Sequence, residues 1–154
     1  MFIRREIGID APVQAVFVFV EDVPSYGQWA PLFSKARIEA TMPLREGDWF
    51  QIHTRLNNKE WSFSAQVTLY EPPVAFSYEI VVGKWAKAEV NYDLEDDAGA
   101  TRLKASVSVA FLKWYLKIVD LFLPGDNLKQ DAFGLKRLKT LVEATWAETG
   151  DGME

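Results

Sequence analysis

Cysteine is absent from this chain. That excludes disulfides, thiolate metal sites and a cysteine nucleophile. Histidine occurs once, as His53, with no HxxE or HxxxH spacing around it. Metal binding and a Ser-His mechanism would each rest on that single imidazole. Neither GxGxxG nor GxxxxGK followed by Ser or Thr is present, so no nucleotide cofactor has support. Positive charge is in deficit: 17 Lys and Arg against 22 Asp and Glu, a net charge of −5. A duplex-binding protein needs a basic face, so nucleic acid is not an expected partner. The longest apolar stretch, 111–124, is broken by Lys113, Lys117 and Asp120 and is too short to span a bilayer. The opening residues Met1 to Glu6 read straight into a strand, without a signal-peptide core. These absences predict a cytoplasmic protein with no cofactor and no metal.

What the chain does have is alternation. Trp61, Phe63, Ala65, Val67 and Leu69 fall on one face of a strand, and Ser62, Ser64, Gln66 and Thr68 on the other. A period of two is what a half-buried antiparallel strand requires. Phe76, Tyr78 and Ile80 repeat it, as do Ala86 to Leu94 and Leu103 to Val109. In 47–56 the apolar set is Phe50, Ile52, Thr54 and Leu56, which leaves His53 outward with Trp49, Gln51 and Arg55. Turn signals at Glu46-Gly47-Asp48, Asn57-Asn58, Glu71-Pro72-Pro73 and Asp96 to Gly99 separate these runs at meander spacing.

Helical spacing frames the strands. Residues 2–9 read as an opening strand. Asp10 is the expected cap of a helix over 12–21, with Val13, Val16, Phe17 and Val20 inward. Ser25 is the expected cap of a short second helix running through Trp29 to Phe33. A final helix is predicted over 126–148, its stripe including Leu128, Leu135, Leu138, Val142 and Trp146. The fold class is α+β: a curved antiparallel sheet of about seven strands, two short helices, and a long C-terminal helix across the concave face. One domain, 1–148, is expected, with 149–154 as a flexible tail.

Several passages resemble one superfamily. Ile7-Gly8-Ile9-Asp10-Ala11-Pro12-Val13 is similar to its opening strand-then-helix segment. Val23-Pro24-Ser25-Tyr26-Gly27-Gln28-Trp29 resembles its second-helix segment with a tryptophan. Glu46-Gly47-Asp48-Trp49-Phe50 resembles its usual hairpin start, and Gly99-Ala100-Thr101-Arg102-Leu103 its last-strand start. Together with Leu135 to Lys139 and Val142-Glu143, these span nearly the whole chain in order. The superfamily is SRPBCC, the helix-grip fold of START domains, plant pathogenesis-related allergens and polyketide cyclases. The bacterial polyketide cyclase/dehydrase-like subgroup is the nearest. The resemblance implies a cavity between sheet and long helix, used mainly for hydrophobic ligands; it does not by itself imply catalysis.

The inward residues therefore become the candidate ligand site. The sheet contributes Phe50, Ile52, Thr54, Trp61, Phe63, Phe76, Tyr78, Ile80, Tyr92 and Val107; the final helix contributes Leu135, Leu138 and Val142. Tyr26, Thr54, Tyr78 and Tyr92 are the polar groups expected to reach the cavity; a tyrosine hydroxyl could orient a ligand or, in a cyclase, donate to a developing enolate. No inward acid–base pair accompanies them. Asp96-Asp97 and Glu21-Asp22 are explained by a turn and a helix end. In 111–123, Trp114, Tyr115, Ile118 and Phe122 are candidates for a lid, a dimer surface or weak membrane contact. The leading expectation is a carrier or sensor of a small hydrophobic molecule, as monomer or homodimer. The alternatives are a polyketide aromatase/cyclase or dehydratase using the tyrosines, and a partner-docking protein using 111–123.

Overall fold

The alternation folds as it reads. A computed structural model describes residues 2–30, 33, 35–56, 58–83, 86–111 and 133–152, with only the backbone at 56, 111 and 149–152. The strands are β1 (Phe2–Ile9), β2 (Arg37–Glu39), β3 (Trp49–Leu56), β4 (Lys59–Glu71), β5 (Ala75–Val82), β6 (Ala86–Asp97) and β7 (Ala100–Phe111). They form one seven-stranded sheet in the order β1-β7-β6-β5-β4-β3-β2, antiparallel throughout. Strands β2 to β7 are a meander, and β1 returns beside β7. The helices are α1 (Val13–Glu21), a 3-10 helix (Val23–Gln28) and α2 (Leu135–Gly152). This is the α+β helix-grip architecture.

Local chemistry fixes the turns. Ala98 and Gly99 both take positive φ, 54° and 91°, in the two-residue turn between β6 and β7. Glycine carries that conformation without a Cβ clash, and Asp96 Oδ1 accepts the Gly99 N–H at 3.1 Å. Asn58, as anticipated, is left-handed with φ 63°.

α1 lays Val16, Phe17 and Val20 into the core. α2 packs against β1 and α1, and buries Leu135, Leu138 and Val142. Lys139 Nζ anchors it by donating to the Gly8 carbonyl at 2.8 Å. Thr101 Oγ1 donates to the Ala11 carbonyl at 2.7 Å, tying β7 to the bend before α1.

Four local expectations are corrected. Asp10 does not cap α1: Pro12 is the N-cap, with no side-chain bond to the free amides. Asp10 lies two positions too early, and the backbone already bends there, Ala11 N–H to Ile9 C=O at 2.9 Å. The second helix begins at Val23 rather than Ser25 and ends at Gln28; Ser25 Oγ turns back to the Asp22 carbonyl at 2.8 Å. The final helix does not run unbroken over 126–148. Gly134 has φ 72°, helix begins at Leu135, and it continues to Gly152. Residues 126–132 lie outside the described residues. Finally, a register shift between Val67 and Leu69 interrupts the β4 alternation. The bulge sets Leu69 opposite Ser77 and Tyr70 opposite Phe76, so Tyr70 takes the inward place predicted for Leu69.

Candidate functional site

The concave side of β4–β6 meets α1 and the 3-10 helix in a run of aromatic rings. Phe17 on α1 contacts Tyr70 and Phe76 with centroids 5.9 and 6.5 Å apart. Phe76 leads to Tyr78 at 6.1 Å, and Tyr78 to Phe50 at 5.7 Å. Tyr26 then joins Tyr78 and Tyr92, at 6.2 and 6.3 Å, to Trp29 and Phe33, at 4.9 and 5.5 Å. Most pairs are edge-to-face, the arrangement favoured by ring quadrupoles. The strand period explains why Phe76, Tyr78 and Ile80 share this face. A helical turn explains why Tyr26 and Trp29, three apart, converge on it.

Three of the four hydroxyls in this run are dry; the fourth, on Tyr70, is partly exposed and donates to Glu21 Oε2. Tyr26, Tyr78 and Tyr92 are all buried. Tyr26 donates to the Val20 carbonyl, so its proton is committed inside the helical layer. Burial, then the neighbouring Tyr92, Asp22 and Glu21, push its pKa well above the ordinary phenol value. Burial also pushes Tyr78 well up, with Tyr92, Tyr26 and a hydrogen bond to Tyr92 adding to it. Burial raises Tyr92, while its hydrogen bond with Tyr78 acts the other way. All three phenols are neutral at ordinary pH. Among the described residues no acidic or basic side chain is wholly buried with them; the other buried polar residues are Ser77 and Thr101, and one carboxylate oxygen, Glu143 Oε2, is buried on α2. Trp29 is 2% exposed, and its Nε1 has no hydrogen-bond partner among the described residues.

The predicted ligand residues separate into groups. Phe50, Ile52, Phe63, Phe76, Tyr78, Ile80 and Tyr92 are buried on the inner face, and Val107 is half-buried against the same core. Leu135, Leu138 and Val142 are buried on α2, toward the β1 end. Thr54 and Trp61 stand opposite each other across β3 and β4 and are only half-buried. They line an open cleft of about 330 Å³ at the end of β3–β4, shared with Lys35, Arg37, His53 and Arg55. Trp114, Tyr115, Ile118 and Phe122 lie outside the described residues. Sequence reading did not select Trp29, Phe17 or Tyr70 for the site. The adjacent apolar pair Leu69-Tyr70, which breaks the period of two, was the one signal for Tyr70.

His53 points outward, as its strand phase predicts. Its Nε2 lies 3.0 Å from Glu39 Oε2 and its Nδ1 2.8 Å from Ser62 Oγ. A carboxylate only accepts, so Nε2 carries the proton in the neutral ring and Nδ1 accepts from Ser62. This chain crosses β2, β3 and β4 on the exposed face. The paired carboxylates have structural partners too: Glu21 Oε2 accepts from Tyr70 at 2.7 Å, and Asp96 from the Gly99 amide. The Glu21 bond is the main reason the Tyr70 pKa is raised. Among the described residues no helix is long and apolar enough to cross a membrane.

Comparison with solved structures shows how widely this frame is used. Ara h 8.0201 superposes with a TM-score of 0.65 at 14% identity, over 94% of this chain and 98% of that one. The AHSA1-like protein from Aeromonas hydrophila gives 0.63 at 20% identity, over 94% of each chain. DynU16, from the dynemicin biosynthetic locus, gives 0.62 at 19% identity, over 94% of this chain and 48% of that one. At such identities the likeness shows the fold. No curated protein sequence matches the chain. One family model does, over residues 3–143, and its description is polyketide cyclase / dehydrase and lipid transport. With most of its length matched and the fold in agreement, the chain belongs to that family.

Proposed function

We propose that the protein binds a small hydrophobic molecule between the sheet and the helical layer, as a carrier or sensor. The observation that carries this reading is the inner aromatic run. It combines ring surface from Phe50, Phe76, Tyr78 and Tyr92 with neutral, desolvated hydroxyls, and no buried acid or base among the described residues accompanies it. Affinity would come chiefly from apolar burial, roughly 25 cal/mol per Å² before the costs of association. The Tyr78–Tyr92 pair would orient the ligand's polar end. The family's description and its fold neighbours support this class of ligand.

The cyclase or dehydratase reading draws on the same pair. Tyr78 and Tyr92 stay protonated and could donate to a developing enolate. Catalysis of a flexible chain would further ask for a base beside the pair; a carboxylate oxygen buried among the described residues, Glu143 Oε2, lies on α2 and is ion-paired with Lys139 at 3.3 Å. Binding without turnover is therefore the preferred reading.

Native mass spectrometry of the purified protein, beside its denatured mass, tests the proposal. Extra mass that leaves on denaturation and is extracted as an apolar compound supports it. A clean mass, unchanged after incubation with a panel of lipids and aromatic polyketides, counts against it.

A further inference from the structure

Buried donors are almost always paired, because an unpaired one loses its water without replacement. Trp29 Nε1–H is the exception in this core: it is buried and has no partner among the described residues. Its ring stands 6.3 Å from that of Tyr92 and 4.9 Å from that of Tyr26. Tyr26 has already given its proton to Val20. Tyr78 and Tyr92 share one hydrogen bond, which leaves one of their two protons outside that pair. At the polar end of the aromatic run the Trp29 N–H and one phenol O–H are thus left over as donors.

We propose that the Nε1–H of Trp29, whose ring packs edge-on to that of Tyr92, is the specificity-determining donor of the interior site, and selects an apolar ligand that carries an uncharged oxygen acceptor, such as a ketone. Resting on the interior-site reading above, it adds which ligands are favoured and by which atom. A carbonyl oxygen has two lone pairs, so it can accept from the indole N–H and still take a second donor. A carboxylate would bring an unpaired charge into a core where no base is buried among the described residues, which is costly.

The test uses 2-acetylnaphthalene and 2-ethylnaphthalene, matched in shape and differing in the carbonyl oxygen, with 2-naphthoate as the charged probe. Calorimetric titration of the wild-type protein should show the ketone binding roughly tenfold tighter than the hydrocarbon, the scale of one hydrogen bond to an unpaired buried donor. Naphthoate should bind more weakly than both. Trp29→Phe keeps an aromatic ring and removes the N–H; it should bring the two neutral probes to equal affinity while the hydrocarbon still binds. Equal affinities in the wild type, a tenfold preference surviving in Trp29→Phe, or naphthoate binding tightest would overturn the inference and leave the interior site standing. Binding of none of the probes would sink both. Should Trp29→Phe not fold, the indole N–H resonances of the ¹⁵N-labelled wild type decide. The ketone should move one of them to higher proton frequency and the hydrocarbon should not; identical responses would reject the proposal.

Discussion

The two faces of the same strands handle polar groups in opposite ways. On the outer face several polar side chains find a neighbour across the sheet: His53 between Glu39 and Ser62, Ser64 with Gln51, Ser77 with Asn91. On the inner face the phenols of Tyr26, Tyr78 and Tyr92 are dehydrated, and the indole N–H of Trp29 is unpaired among the described residues. Residues sharing a strand thus have unequal means: outside, water and lateral partners are at hand, and inside, only what the fold supplies. A polar group left open in the dry layer is the costlier arrangement. That is why the functional reading is placed inside rather than at the His53 cleft.

Breaking the inner face should cost most. Phe76 is completely buried and touches Phe17, Tyr70 and Tyr78. Phe76→Ala should destabilise by about 3–5 kcal/mol in denaturant unfolding. A loss below about 1 kcal/mol would mean the inner layer is loosely packed.

Alkali should expose the buried phenols next. Their folded pKa values are raised above 10, so the folded state keeps protons that the unfolded state releases. Below pH 10 both states are protonated and these groups add no slope. Above pH 10 stability should fall, by about 1.4 kcal/mol per pH unit for each buried tyrosine. Tyr92→Phe should make that alkaline fall shallower; an unchanged slope would mean Tyr92 ionises freely in the folded protein.

Tyr26→Phe is a smaller perturbation. It strands the Val20 carbonyl without its donor, at about 1–3 kcal/mol. Thermal unfolding measures it, and a neutral result would deny that bond a role. The outer face should respond least. His53→Ala removes an exposed three-residue chain and should change stability by no more than about 0.5 kcal/mol. Ligand binding should not change. A large loss of binding in His53→Ala would reverse the contrast between the faces.

The sheet was legible because strand burial has a strict period. Phe50, Ile52, Phe63, Phe76, Tyr78 and Tyr92 were placed inward from alternation alone, and His53 outward. What escaped detection depended on backbone geometry that side-chain pattern does not encode. The bulge after Val67 moved Tyr70 inward, and Gly134 delayed the last helix to Leu135. Asp10 had the chemistry of a cap but the wrong offset from the first turn. The candidate site was legible in its aromatic character and less so in its polar detail. Trp29 reads in sequence as one more core aromatic; only its environment shows that its N–H is unpaired.

Chemical-shift mapping of the ¹⁵N-labelled protein with 2-ethylnaphthalene tests the central claim most directly, because the two faces give separate signals. The account predicts perturbations at Tyr78, Tyr92 and the indole-bearing Trp29 segment, with His53 and Ser62 unmoved. Perturbations confined to His53, Ser62 and Arg55 would place binding in the outer cleft and contradict it.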